Sequence, residues 1–136
     1  MTGEDVPEAV RELLRDHVET YEQLGTLLYA RAQGDRAFSA DEAAAAVGLA
    51  SAEAEAALLH LVGHSLVGVD KGPAPPRYRY GARSSPQAPV IDQLATVHDR
   101  QHLGLVRQMS ANAIERMRTS AARAFSEAFV LRREKK

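Results

Sequence analysis

Residues 38–80, FSADEAAAAVGLASAEAEAALLHLVGHSLVGVDKGPAPPRYRY, are the stretch that decides the fold. Ser39-Ala40-Asp41-Glu42 has the spacing of a capping box, in which each side chain satisfies an orphan N–H of the other residue. The helix DEAAAAV follows and stops at Gly48. Ser51 is the expected N-cap of a second helix, running from Ala52 to about His64 and burying Ala54, Ala57, Leu58 and Leu61 on one stripe. Leu66–Asp70 and Arg77–Tyr80 read as two strands of a hairpin. Between them Gly72, Pro73, Pro75 and Pro76 forbid regular pairing and make a stiff, exposed tip. With Arg36–Phe38 as a short leading strand, the order is strand, helix, turn, helix, strand, proline-rich tip, strand.

Upstream, Pro7 suits a first helical turn because its missing N–H has no partner to lose there. Val10, Leu13, Leu14, His17 and Val18 recur at helical spacing, and Tyr21, Leu24, Leu27, Leu28 and Ala32 continue it to a stop at Gly34-Asp35. Whether Glu19–Thr20 interrupt that run is open from periodicity alone. Downstream, SSPQAP is a linker or a helix start, and everything from Val90 to Leu131 reads as helical. A single helix of that length reaches about 60 Å, longer than the body of the domain. It is therefore expected to break near Ser110–Asn112, to pair with another chain, or both. The apolar positions Ile91, Leu94, Leu105, Met109 and Met117 are the expected dimerisation residues. The division is one domain over 1–84 and a helical extension over 85–136.

Composition narrows the function. There is no cysteine, so disulfides, thiolate nucleophiles and cysteine-based zinc sites are excluded. No run of about eighteen apolar residues occurs, and the acidic start MTGEDVPEAV is unlike a secretory signal. A cytoplasmic chain with no membrane partner is expected. Three lysines against fourteen arginines, with abundant alanine, fit a GC-rich bacterial genome. The net charge of −1 hides a split: residues 1–65 hold four basic and twelve acidic residues, a balance of −8, and residues 66–136 hold thirteen and six, a balance of +7. Such asymmetry bears on association and partners rather than on fold.

Residues 49–67, LASAEAEAALLHLVGHSLV, resemble the recognition-helix segment of MarR-type winged-helix regulators. A capping residue, a buried small residue, a paired apolar step, another leucine and a closing Leu-Val fall in the same places, with Ser65 where that family usually has glycine. The long C-terminal helical region is similar to the dimerisation helices of PadR-type regulators. The whole chain, with its AFVLRRE ending, is closest in pattern to uncharacterised bacterial winged-helix proteins. The resemblance implies a mainly α fold: a winged helix-turn-helix with a small hairpin wing and a long C-terminal dimerisation region. It also implies a homodimeric DNA-binding transcription regulator.

The departure lies where DNA would be. The matching outer positions of the second helix hold Ser51, Glu53, Glu55, Leu59 and His60 rather than a set of basic and amide side chains. Non-specific affinity for DNA comes largely from Lys and Arg at phosphates, and here that support has to come from Lys71, Arg77, Arg79 and Arg83 around the wing. Those residues have an alternative use in keeping an edge strand soluble. A glutamate can accept from a cytosine amino group, so an acidic reading helix is chemically workable. The second function kept open is an adapter without DNA affinity, in which the acidic and partly apolar outer face docks a protein partner.

His60 and His64, and likewise His98 and His102, stand four apart on a helix, which is half of a metal site. No third ligand is visible, so no metal and no cofactor is expected. One histidine of each pair is expected to be half-buried and the other solvated. No glycine-rich phosphate loop, motif-bound nucleophile or acidic pair in an apolar setting is present, so no enzyme is expected.

Overall fold

The computed structural model describes residues 6–70, 72, 74–82 and 85–134, the last six by backbone alone. Helix α1 (Glu8–Asp16) starts directly after Pro7 and buries Val10, Leu13 and Leu14. Helix α2 (Tyr21–Gln33) is separate from it. The interruption comes from Thr20, whose hydroxyl accepts the Gln23 N–H at 3.1 Å, while Gln23 Oε1 accepts the Thr20 N–H at 3.3 Å and also the Glu19 N–H at 2.8 Å. This capping box is worth about 1 kcal/mol, enough to set a helix start inside an unbroken apolar spacing.

Helix α3 (Ala40–Val47) begins at the second capping box as expected. Ser39 Oγ accepts the Glu42 N–H at 3.1 Å and Glu42 Oε1 accepts the Ser39 N–H at 3.2 Å. It ends at Gly48, whose φ of 82° is the left-handed conformation that glycine adopts without a Cβ penalty. Helix α4 (Ser51–Gly63) then leaves at an angle of 110° to α3, within the range of a helix-turn-helix. Ser65, in the turn after α4, has φ 62°. That is a conformation glycine adopts without a Cβ penalty, consistent with the glycine that the MarR-type resemblance leads one to expect there.

Strands β1 (Val67–Asp70) and β2 (Arg77–Tyr80) pair antiparallel in the register Val67↔Tyr80 to Asp70↔Arg77. The expected leading strand is a single bridge, Phe38 to Tyr78, with N–H···O distances of 2.9 and 2.7 Å.

The C-terminal region is two helices, α5 (Ala88–Arg100) and α6 (His102–Glu134). The break expected near Ser110–Asn112 is instead at Gln101, which leaves the helical region of φ/ψ space at φ −133°, ψ 46°. Residues 110–112 continue α6, which is about 50 Å long. Both helices pack against α1, and that packing rather than any breaker residue places the bend.

The elements form two layers. Helices α2, α3 and α4 pack on one another with the hairpin against α2 and α4, while α1 packs against α5 and α6. One apolar cluster joins them, from Val10 and Leu14 through Leu24, Phe38, Leu58 and Leu61 to Ile91, Leu94 and Leu105. The core therefore crosses the expected division at residue 84. No single helix among the described residues is long and apolar enough to cross a membrane.

Candidate nucleic-acid interface

The outer face of α4 is shaped by how the helix begins. Residue 50 is the N-cap position, and Ser51 is the first helical residue rather than the cap. Alanine has no side-chain acceptor, so half of a capping box remains: Glu53 Oε1 accepts the Ala50 N–H at 2.9 Å. The Ser51 hydroxyl turns to α3 and donates to Asp41 Oδ1 at 2.8 Å, tying the two helices across the turn. Of the sequence-predicted residues on this face, Ser51, Glu53, Glu55 and Leu59 are exposed, Leu59 to 55%. Ala52 and Ala56 lie exposed between them, while Ala54, Ala57, Leu58 and Leu61 face the core.

His60 does not belong to that face. It is half-buried, and its Nε2 donates to the His17 carbonyl at 2.8 Å. The helical wheel alone puts it outside, but the α1–α2 turn, more than forty residues earlier, covers it. His64 is also half-buried, so the pair does not divide into one buried and one solvated ring. The His98 and His102 pair does divide that way, half-buried and exposed respectively, with Tyr21 Oη 3.0 Å from His102 Nε2. Among the described residues no group of three ligating side chains is arranged to hold a metal ion. By its spacing His17 falls on the apolar stripe of α1, and the fold also brings it to α4. Its meeting with α4 has no local signal.

Along β2 of the wing the arginines gather. Strand alternation puts Arg77 and Arg79 on the exposed side of β2 and Tyr78 in the core. Arg77 Nη1 lies 3.5 Å from Glu42 Oε1, the Arg36 guanidinium donates to the other oxygen of the same carboxylate, and Arg79 Nη1 donates to the Asp35 carbonyl at 3.0 Å. The hydrogen bond from Arg36, followed by that from the Ser39 N–H, holds the Glu42 carboxyl below the usual range. Two guanidinium groups thus share one carboxylate and a third sits on a backbone oxygen. The ion pairs are solvent-exposed and each is worth about 1 kcal/mol or less, so a phosphate can replace the protein partner at little cost. Lys71 and Arg83 lie outside the described residues.

The expected dimerisation residues are placed differently from one another. Ile91, Leu94 and Leu105 are fully buried and Met109 is 5% exposed, all within the chain's own core. They close the layer between α1, α5 and α6. Met117 is 64% exposed, and Leu103 and Ile114, at 61% and 47%, share its helix.

No family model matches the chain, and no characterised protein matches it in sequence. Solved structures do match in shape. A mutant of S. aureus MepR bound to an oligodeoxyribonucleotide superposes with a TM-score of 0.51 over 88% of this chain and 86% of that one, at 18% identity. S. aureus MepR bound to ethidium bromide gives 0.49 over 89% and 86%, also at 18% identity. At that identity the first likeness speaks for architecture, and the architecture agrees with the elements described above. The chain carries a mainly α, winged helix-turn-helix fold with a two-stranded wing and a long C-terminal helix.

Proposed function

We propose that this chain is a DNA-binding transcription regulator acting as a homodimer. The observation that carries the reading is a juxtaposition. The outer face of α4 is free of the protein core, and Arg36, Arg77 and Arg79 stand together along strand β2 of the adjoining wing. An exposed helix has the width to enter a major groove, and wing arginines have the reach and charge for phosphates on its flank. The likeness in fold to a MepR mutant bound to an oligodeoxyribonucleotide supports the same assignment.

The division of labour follows from charge. Glu53 and Glu55 contribute nothing to phosphate attraction, so the sequence-independent part of the affinity rests on the arginines. Glu55, with no ion-pair partner among the described residues, is placed to accept from a base amino group, as glutamate does from cytosine N4. The protein therefore binds random DNA weakly and depends on its operator more than a basic winged helix does. The second copy is held through the exposed apolar positions of α6, Ile114 and Met117, beyond the part of the helix that the chain's own core consumes. The test is titration of a labelled random-sequence duplex at low and at physiological salt. Weak binding that collapses with added salt supports the reading, and absence of binding even at low salt removes it in favour of a protein-docking surface.

A further inference from the structure

Three histidines from two distant parts of the chain meet where the α1–α2 turn crosses the C-terminal end of α4. His17 Nδ1 and His64 Nδ1 are 2.9 Å apart, with their rings edge-on at a centroid distance of 5.1 Å. His60 stacks on His64 at 4.3 Å and donates through Nε2 to the His17 carbonyl. All three are half-buried.

The chemistry of that arrangement limits how many protons it holds. A bond between two Nδ1 atoms needs one N–H and one lone pair. The His17–His64 pair therefore accommodates one extra proton, carried by the donor ring, and a second leaves two N–H groups pointing at each other. The Nε2–H of His60 is committed to the carbonyl, so a proton added there enters at Nδ1 and makes an imidazolium stacked on His64. The acids facing the cluster are already matched. Asp16, beside His17, is paired with Arg15 at 3.0 Å. Glu19, which faces His64, lies 3.9 Å from Arg116 of α6, and Arg116 also donates to the Glu19 carbonyl at 3.1 Å.

We propose that His17, His60 and His64 form an acid-released latch between the end of α4 and the α1–α2 turn. It is closed while the His17–His64 pair holds at most one extra proton and open when both rings are protonated. Burial, and then the charges of His60 and His17, hold His64 below the ordinary imidazole range, with Glu19 opposing them. The unfolded chain thus binds more protons than the folded one below about pH 6.5, so the latch's stabilisation is complete above that value. It is lost as the pH falls through the folded pKa of His64. Opening frees one end of the helix assigned to the DNA groove, so acid weakens operator binding. That consequence rests on the function proposed above; the latch itself does not.

The experiment is a pH titration followed by NMR of the histidine ring nitrogens together with amide hydrogen exchange. In the wild type, His64 takes up a proton below about pH 6.5 in a step that depends on His17, and amides 60–66 exchange about tenfold faster across the same step after correction for intrinsic rates. His64→Gln, which hydrogen-bonds but does not titrate, abolishes the step, and His17→Gln does the same from the other side of the joint. Three rings titrating independently, or an exchange step that survives in both variants, overturns the latch. Saturation of the same ring nitrogens by one equivalent of Zn²⁺ also overturns it, by making the cluster a metal site. A latch that opens while duplex affinity stays constant leaves the proton chemistry intact and refutes its link to DNA.

Discussion

Glu55→Lys separates a groove-facing α4 from an α4 that faces elsewhere. Glu55 is exposed, sits beyond the first turn, and takes no part in the start of the helix, so its replacement leaves the fold unchanged. Glu53 is unsuitable for the same purpose, because its carboxylate accepts the Ala50 N–H and its loss frays α4. If α4 lies in the groove, residue 55 stands near a phosphate, and a unit charge ~7 Å from a phosphate in water interacts by about 0.6 kcal/mol. Reversing the charge changes that by two units, about 1.2 kcal/mol, which is close to a tenfold gain in affinity for random duplex. A new phosphate contact also steepens the dependence of log K on log salt by about 0.9. Fluorescence anisotropy with a labelled duplex, from low to physiological salt, reads both quantities. Equal affinity and equal slope for wild type and Glu55→Lys refute the placement of α4 in the groove.

Four further outcomes are expected. Arg77→Ala combined with Arg79→Ala weakens duplex binding at low salt and flattens the salt slope by about two units if each arginine holds one phosphate; anisotropy reads it. Ser39→Ala removes the hydroxyl that accepts the Glu42 N–H and lowers stability by about 1 kcal/mol in urea unfolding. Ser65→Gly relieves a left-handed residue and stabilises by about 0.5–1 kcal/mol, since the strain removed exceeds the entropy added to the unfolded chain. Met117→Glu combined with Ile114→Glu sediments as a 14.8 kDa monomer where the wild type is expected to sediment as a dimer, without loss of helical signal, because neither side chain belongs to the core.

Local signals in the sequence account for most of the fold. Ser39–Glu42, Gly48 and the stripe Ala54, Ala57, Leu58 and Leu61 act within one or two helical turns, so α3, the turn and α4 stand where their spacing puts them. The same holds for β2, where alternation in Arg77–Tyr80 and the prolines before it leave one reading. Thr20 and Gln23 were equally local, but the apolar spacing on either side runs on unbroken and masks the box. The bend at Gln101 is of another kind. Neither proline nor glycine occupies it, and it follows from the way α5 and α6 both lie against α1.

The candidate site was legible only to the extent that its contacts are local. Glu55 and Leu59 face outward as a helical wheel requires. His60 does not, because the group that covers it, the carbonyl of His17, lies 43 residues away. Ile91, Leu94, Leu105 and Met109 show the same limit from the opposite side. Heptad-like spacing states that a helix has an apolar seam, whereas only the fold decides whether α1 or a second chain fills it.

In the proposed function the winged helix meets DNA with α4 and its wing. Amide chemical-shift mapping on addition of duplex at low salt tests it most directly. The largest perturbations are expected at residues 39–42, 51–59 and 77–80, at the start of α3, the outer face of α4 and β2. Perturbations confined to α5 and α6, or none at a saturating duplex concentration, contradict it.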